Sequence, residues 1–108
     1  MWLATKFGFY SIVKSSINSD DYMIRGRIRN DFENIRNHCD LEQEVIETSD
    51  SDYRYRLIIN KTELLDVMTK LGEALDYNNF KGKIGVTTDQ KDKLYAYHKV
   101  WSIMYEFQ

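Results

Sequence analysis

Two stretches of the chain set arginine on alternate positions among apolar residues: Tyr-Met-Ile-Arg-Gly-Arg-Ile-Arg over 22–29 and Tyr-Arg-Tyr-Arg-Leu-Ile-Ile-Asn over 53–60. A period of two belongs to a strand, whose side chains leave opposite faces in turn. Arg25, Arg27 and Arg29 are therefore expected to project together, with Tyr22, Ile24 and Ile28 on the other side. In the second stretch Arg54, Arg56 and Ile58 share one face, and Tyr53, Tyr55, Leu57 and Ile59 the other. Such a chain must build a sheet with one basic face.

The rest of the sequence supplies the partners. Residues 2–13 also alternate and are rich in aromatic and β-branched side chains, which predicts one strand with Gly8 as a bulge or thin point. The polar cluster over 14–21 makes it a hairpin with the first arginine strand. Asn30 and Glu33 have capping-box spacing and predict a short helix bearing Phe32, Ile35 and Cys39 on one side. A third strand is expected around 43–49, ahead of the second arginine strand. Asn60 and Glu63 repeat the capping spacing before an apolar stripe of Leu64, Leu65, Met68, Leu71 and Leu75. Residues 76–89 read as a mostly irregular loop with one short helical turn at most. Thr87 with Gln90 then opens a final helix carrying Leu94, Tyr97, His98, Trp101, Met104 and Tyr105 at spacings of three and four. The expected order is β-β-α-β-β-α-α. It implies an α+β domain, a four-stranded, mostly antiparallel sheet with its helices on one face. A ferredoxin-like sheet cut open at another place in its βαββαβ order would give this succession.

At 108 residues the chain is expected to form a single domain, 1–108. Its 43 % hydrophobic and 30 % charged residues are those of a folding chain. Net charge is -2, so no global positive field draws it to nucleic acid or an anionic membrane, and any basic patch is local. One cysteine, Cys39, excludes an internal disulfide and a thiolate metal cluster. The N-terminus has neither a basic n-region nor a small-residue cleavage site, and no apolar run has the length of a membrane span. A cytoplasmic protein without a cofactor is the expectation.

The basic face is the candidate site. With Phe7, Phe9, Ile24, Ile28, Tyr55 and Leu57 turned to the helices, Trp2, Lys6, Tyr10, Arg25, Arg27, Arg54 and Arg56 would remain on the open face. Tryptophan, tyrosine and arginine are the residue types of interface hot spots, so the face suits a protein partner or a second copy. The alternative is an anionic ligand, a nucleotide or single-stranded RNA, held by guanidinium forks and aromatic stacking. Against both stands a salt-bridged surface in which Glu47, Glu42, Glu44, Asp50 and Asp52 neutralise the arginines. A second candidate is the loop residues Tyr77, Asn78, Asn79 and Lys81; an enzyme would need His98, a carboxylate and an arginine to converge beside them. Asp20, Asp21, Asp50 and Asp52 read as turn formers, since no complete metal loop surrounds them. No catalytic residue stands out.

The motifs "MWLATKFGFYSIV", "DYRYRLII", "DYNNFK" and "YHKVWSIMYEFQ" together resemble a family of small bacterial proteins. That family opens with a Met-Trp and Gly-Phe strand and ends in an Asp-Tyr, Asn-Phe-Lys loop and a Tyr and Trp helix. The resemblance implies a bacterial or phage origin and a self-contained cytoplasmic domain, and carries no activity with it.

Overall fold

Where alternation predicts one strand over residues 2–13, the computed structural model, which describes residues 1–108, contains two: β1 (Trp2–Ala4) and β2 (Phe9–Lys14). Thr5 makes the turn between them. Its hydroxyl accepts from the backbone N–H groups of Phe7 and Gly8, both at 3.1 Å, and donates to the Gly8 carbonyl at 3.0 Å. Gly8 is required by close approach, because a Cβ there would lie 2.5 Å from Asp31 Cβ. The turn is tied to the helix that follows the hairpin. Asn34 Nδ2 donates to the Phe7 carbonyl at 2.8 Å, and Phe7 stacks on His38 with ring centres 4.3 Å apart.

β3 (Asp21–Gly26) pairs with β2, β5 (Tyr55–Asn60) with β3, and the two-residue β4 (Ile46–Glu47) with β5. Every pairing is antiparallel and the order is β1-β2-β3-β5-β4. The protein is thus α+β with an antiparallel sheet, but the sheet has five strands rather than the four expected, because the first alternating segment folds back on itself. Both edges are very short strands, a common protection against pairing with another sheet.

Register decides the faces. Ile12, Ile24 and Leu57 lie side by side, as do Tyr22 and Ile59, and this face packs under α1 (Arg29–Cys39) and α2 (Lys61–Glu73). The core of the Met1–Leu75 unit is built there, from those strand residues with Tyr10, Phe32, Ile35, Cys39, Leu64 and Val67. Gly26 lets Phe32 lie flat on β3, since a Cβ would come 2.6 Å from the ring. In α2 the expected box is formed: Asn60 accepts from Glu63 N, and the Glu63 carboxylate accepts from Asn60 N. Leu65 and Leu75, expected in its apolar stripe, are instead exposed, and Val67 takes the buried position. In α1 the cap differs from expectation. The helix starts at Arg29 with Ile28 as cap, and Asn30 lies inside its first turn. Asp31 is the buried acid of that turn, its carboxylate accepting from Phe9 N and its carbonyl from the Tyr10 hydroxyl at 2.6 Å.

A second unit, Asp76–Gln108, contains α3 (Phe80–Val86), a 3-10 turn (Lys91–Lys93) and α4 (Leu94–Tyr105). The expected irregular loop is half helical because Asn79 caps the Gly82 N–H at 2.9 Å and Phe80 and Ile84 turn inward, Phe80 meeting Tyr97 edge to face at 4.9 Å. Two glycines lower helix propensity here, and packing overrides it. Thr87 closes α3, its hydroxyl donating to the Lys83 carbonyl, so the last helix begins at Leu94 and not at Thr87. No helix is long and apolar enough to cross a membrane.

Candidate functional site

The register of the five strands sets which side chains share the helix-free face of the sheet. Trp2, Ser11, Arg25, Arg56 and Ile46 form one continuous row across all five strands, and Val13, Met23 and Ile58 form the next. Trp2 is 71 % exposed and packs against Phe9, ring centres 5.9 Å apart. Arg25 and Arg56 are direct cross-strand neighbours, an arrangement that ordinarily destabilises a sheet.

The loop between β4 and β5 offsets part of this repulsion. Tyr53 lies 9 % exposed, with the Arg25 guanidinium 4.5 Å and that of Arg27 4.3 Å from its ring centre. Cation–π contacts of partly buried guanidinium groups contribute on the order of 1 kcal/mol each. Arg56 donates to Ser51 Oγ at 2.6 Å and to the Tyr53 carbonyl at 3.0 Å, while Arg25 donates to Ser11 Oγ at 2.8 Å. All these acceptors are neutral. The Nε atoms of both arginines are buried without a partner.

The remaining arginines meet carboxylates. Arg27 bridges Asp52 at 3.2 Å, Arg54 bridges Glu47 at 2.8 Å, and Arg29 bridges Glu33 at 3.4 Å. Burial works against the Arg27 charge, yet the hydrogen bonds and charges of Asp52 and Tyr53 together outweigh it and raise its pKa. These pairs are exposed and stabilise by at most about 1 kcal/mol each.

Several expectations are corrected by this geometry. Arg29 belongs to α1 rather than to the basic strand face, since β3 ends at Gly26. Tyr10 lies on the helix side, fully buried, because the fold-back at Thr5–Gly8 pairs Trp2 with Ser11 and so exchanges parity. Phe9 accordingly sits on the helix-free side beside Trp2, Phe7 and Lys6 are in the turn, and Ile28 is an exposed helix cap. Tyr53, assigned to the helix side, is the ring around which Arg25 and Arg27 gather. Glu47 pairs in register with Tyr55, so Ile46, not Glu47, stands opposite Arg56. Ser11, Ser51, Tyr53 and Ile46 are the site residues that the sequence reading missed. The "DSD" turn just ahead of Tyr53 is the signal that its strand parity was not secure.

In the second unit an open depression brings together Asn79, Lys81, Asp92, Tyr95 and His98. Lys81 Nζ lies 3.4 Å from His98 Nδ1 and 4.5 Å from the Trp101 ring centre. Tyr77 packs on Phe80 instead, its hydroxyl pKa raised by burial and by Asp76. Asn78 is exposed and does not line the depression, and neither does any arginine. Nothing closes over it to exclude water from a reaction. No three His, Cys, Asp or Glu side chains lie close enough together to hold a metal ion.

No protein-family model, no curated protein and no solved structure matches this chain.

Proposed function

We propose that the protein is a binding module, and that the helix-free sheet face docks a protein partner that presents carboxylates. The observation that carries this reading is the row Trp2, Ser11, Arg25, Arg56 and Ile46. Two guanidinium groups at its centre have only neutral acceptors, and large apolar side chains stand exposed at both ends. An incoming Asp or Glu would relieve the Arg25–Arg56 repulsion with charge-assisted bonds, and desolvated arginine with tryptophan is the usual composition of an interface hot spot.

A second reading uses the same pair for a phosphate-bearing ligand, a nucleotide or single-stranded RNA. The buried, unpartnered Nε atoms and the adjacent Tyr53 ring favour it, and the net charge of -2 weighs against extended RNA. Titrating labelled protein with a glutamate-rich peptide and, separately, with inorganic phosphate separates the two. The first reading expects shifts at the Trp2 indole and the Arg25 and Arg56 side chains with peptide, lost in Arg56→Ala. Stronger shifts with phosphate favour the second reading. No shift with either probe sinks both.

Two finer readings accompany this proposal. The order β2-β3-β5-β4, with α1 and α2 on one face, is the order a ferredoxin-like sheet would have if opened at a different connection. A cytoplasmic site of action suits the lone thiol, Cys39, which burial pushes up to about 11 and so keeps protonated.

A further inference from the structure

α4 buries Tyr97 against α3 and leaves most of its other apolar side chains in water. Seven large apolar residues between Tyr95 and Phe107 stand half or more exposed. They are not scattered. On the flank next to Tyr97, Ala96, Val100, Ile103 and Phe107 follow one another at spacings of four, three and four, the seam of a two-helix coiled coil. All four are exposed, and Phe107 lies just past α4 in a turn held by bonds to the third residue back, Phe107 N donating to the Met104 carbonyl at 3.1 Å. Lys99 and Glu106 lie seven residues apart along one flank of the seam.

We propose that this chain forms a homodimer through α4, two copies pairing their seams antiparallel about a two-fold axis. Charge selects the partner and the direction. Reversing one helix brings Lys99 of each copy toward Glu106 of the other, two opposite-charge contacts. A parallel pair would set Lys99 beside Met104 and make none. A flank that is positive at one end and negative at the other is complementary to its own reversed copy, which an isologous contact requires. The seam with its neighbour Met104 offers on the order of 500 Å² per copy, taking roughly 150–250 Å² for an aromatic side chain. That is the low end for a specific interface, so the dimer is expected to be reversible and to depend on protein concentration. A membrane surface is a poorer occupant, because Glu106 borders the seam and the helix lacks a lysine- and arginine-rich face.

Sedimentation velocity over a concentration series tests this with exposed-site variants whose fold is checked by circular dichroism. Wild type should pass from monomer to dimer, and Ile103→Asp should remain monomeric with an unchanged melting curve. Lys99→Glu and Glu106→Lys should each weaken the dimer by about tenfold or more, and the double exchange should restore it. Arg56→Ala, on the sheet face, should leave it unchanged. A wild-type monomer at every concentration overturns the proposal, and so does a dimer indifferent to Ile103→Asp. Failure of the double exchange to rescue overturns the antiparallel arrangement. Binding of the monomer to phosphatidylglycerol vesicles, lost in Ile103→Asp, would assign the seam to a membrane instead.

Discussion

Phe32, in the unit Met1–Leu75, has none of its surface in water, whereas Phe107, in the unit Asp76–Gln108, keeps 81 % of its surface exposed. The first ring lies between a sheet and a helix, two layers that together exclude solvent. The second lies past the end of α4, a helix that packs within its own unit on α3 and the 3-10 turn. The charged groups run the other way. The arginines that look most available in the sequence are held by Tyr53, Ser51, Asp52, Glu47 and Ser11, while the plain apolar run "VWSIMY" is left uncovered. The contrast teaches that most of a conspicuous charge pattern can be held within its own unit, so that what points to a partner is the residue left over: the Arg25–Arg56 pair with its neutral acceptors, and the unclaimed apolar area of α4.

Measurements can break this comparison. Phe32→Ala should cost about 3–5 kcal/mol in chemical denaturation, whereas Ile103→Ala in dilute monomer should stay within about 0.5 kcal/mol of wild type; similar losses at the two would erase the distinction. Burial holds the Cys39 thiol at about 11 against an ordinary 9.0, so native protein at pH 8 should react with a thiol reagent roughly a hundredfold more slowly than unfolded chain. The sign follows from the raised value: the stabilisation is fully present below the unfolded pKa and disappears as pH climbs through about 11. Rapid labelling of folded protein at pH 8 would show the core to be open. Tyr53→Ala should cost about 2 kcal/mol, losing its own burial and two guanidinium contacts; a neutral result would mean that the loop does not hold the arginines. Asn60→Ala should cost about 1 kcal/mol through the lost cap of α2. Arg27→Ala should cost less than about 1 kcal/mol, because Asp52 is exposed, and its thermal melt should barely move.

Contacts between residues close in sequence were legible without a structure. The α2 cap is an exchange of hydrogen bonds between positions three apart, so Asn60 and Glu63 announce it by spacing alone. The buried side of α1 and the alternation in β3 and β5 are legible for the same reason. They depend on the period of one element and on nothing outside it.

Long-range register decided the rest. The break of residues 2–13 into two strands depends on Gly8 lying against Asp31, and the inward position of Tyr10 on a hydrogen bond to the Asp31 carbonyl. Both bring together residues more than twenty positions apart. Arg25 faces Arg56 only because β3 and β5 pair in one particular register, and a shift by one residue would send either side chain to the opposite face. The periods of β3, β5 and α1 determined that these elements form and which side of each is apolar. Only the tertiary structure decided which faces are covered, because covering a face requires a second layer, and which layer arrives depends on residues far along the chain.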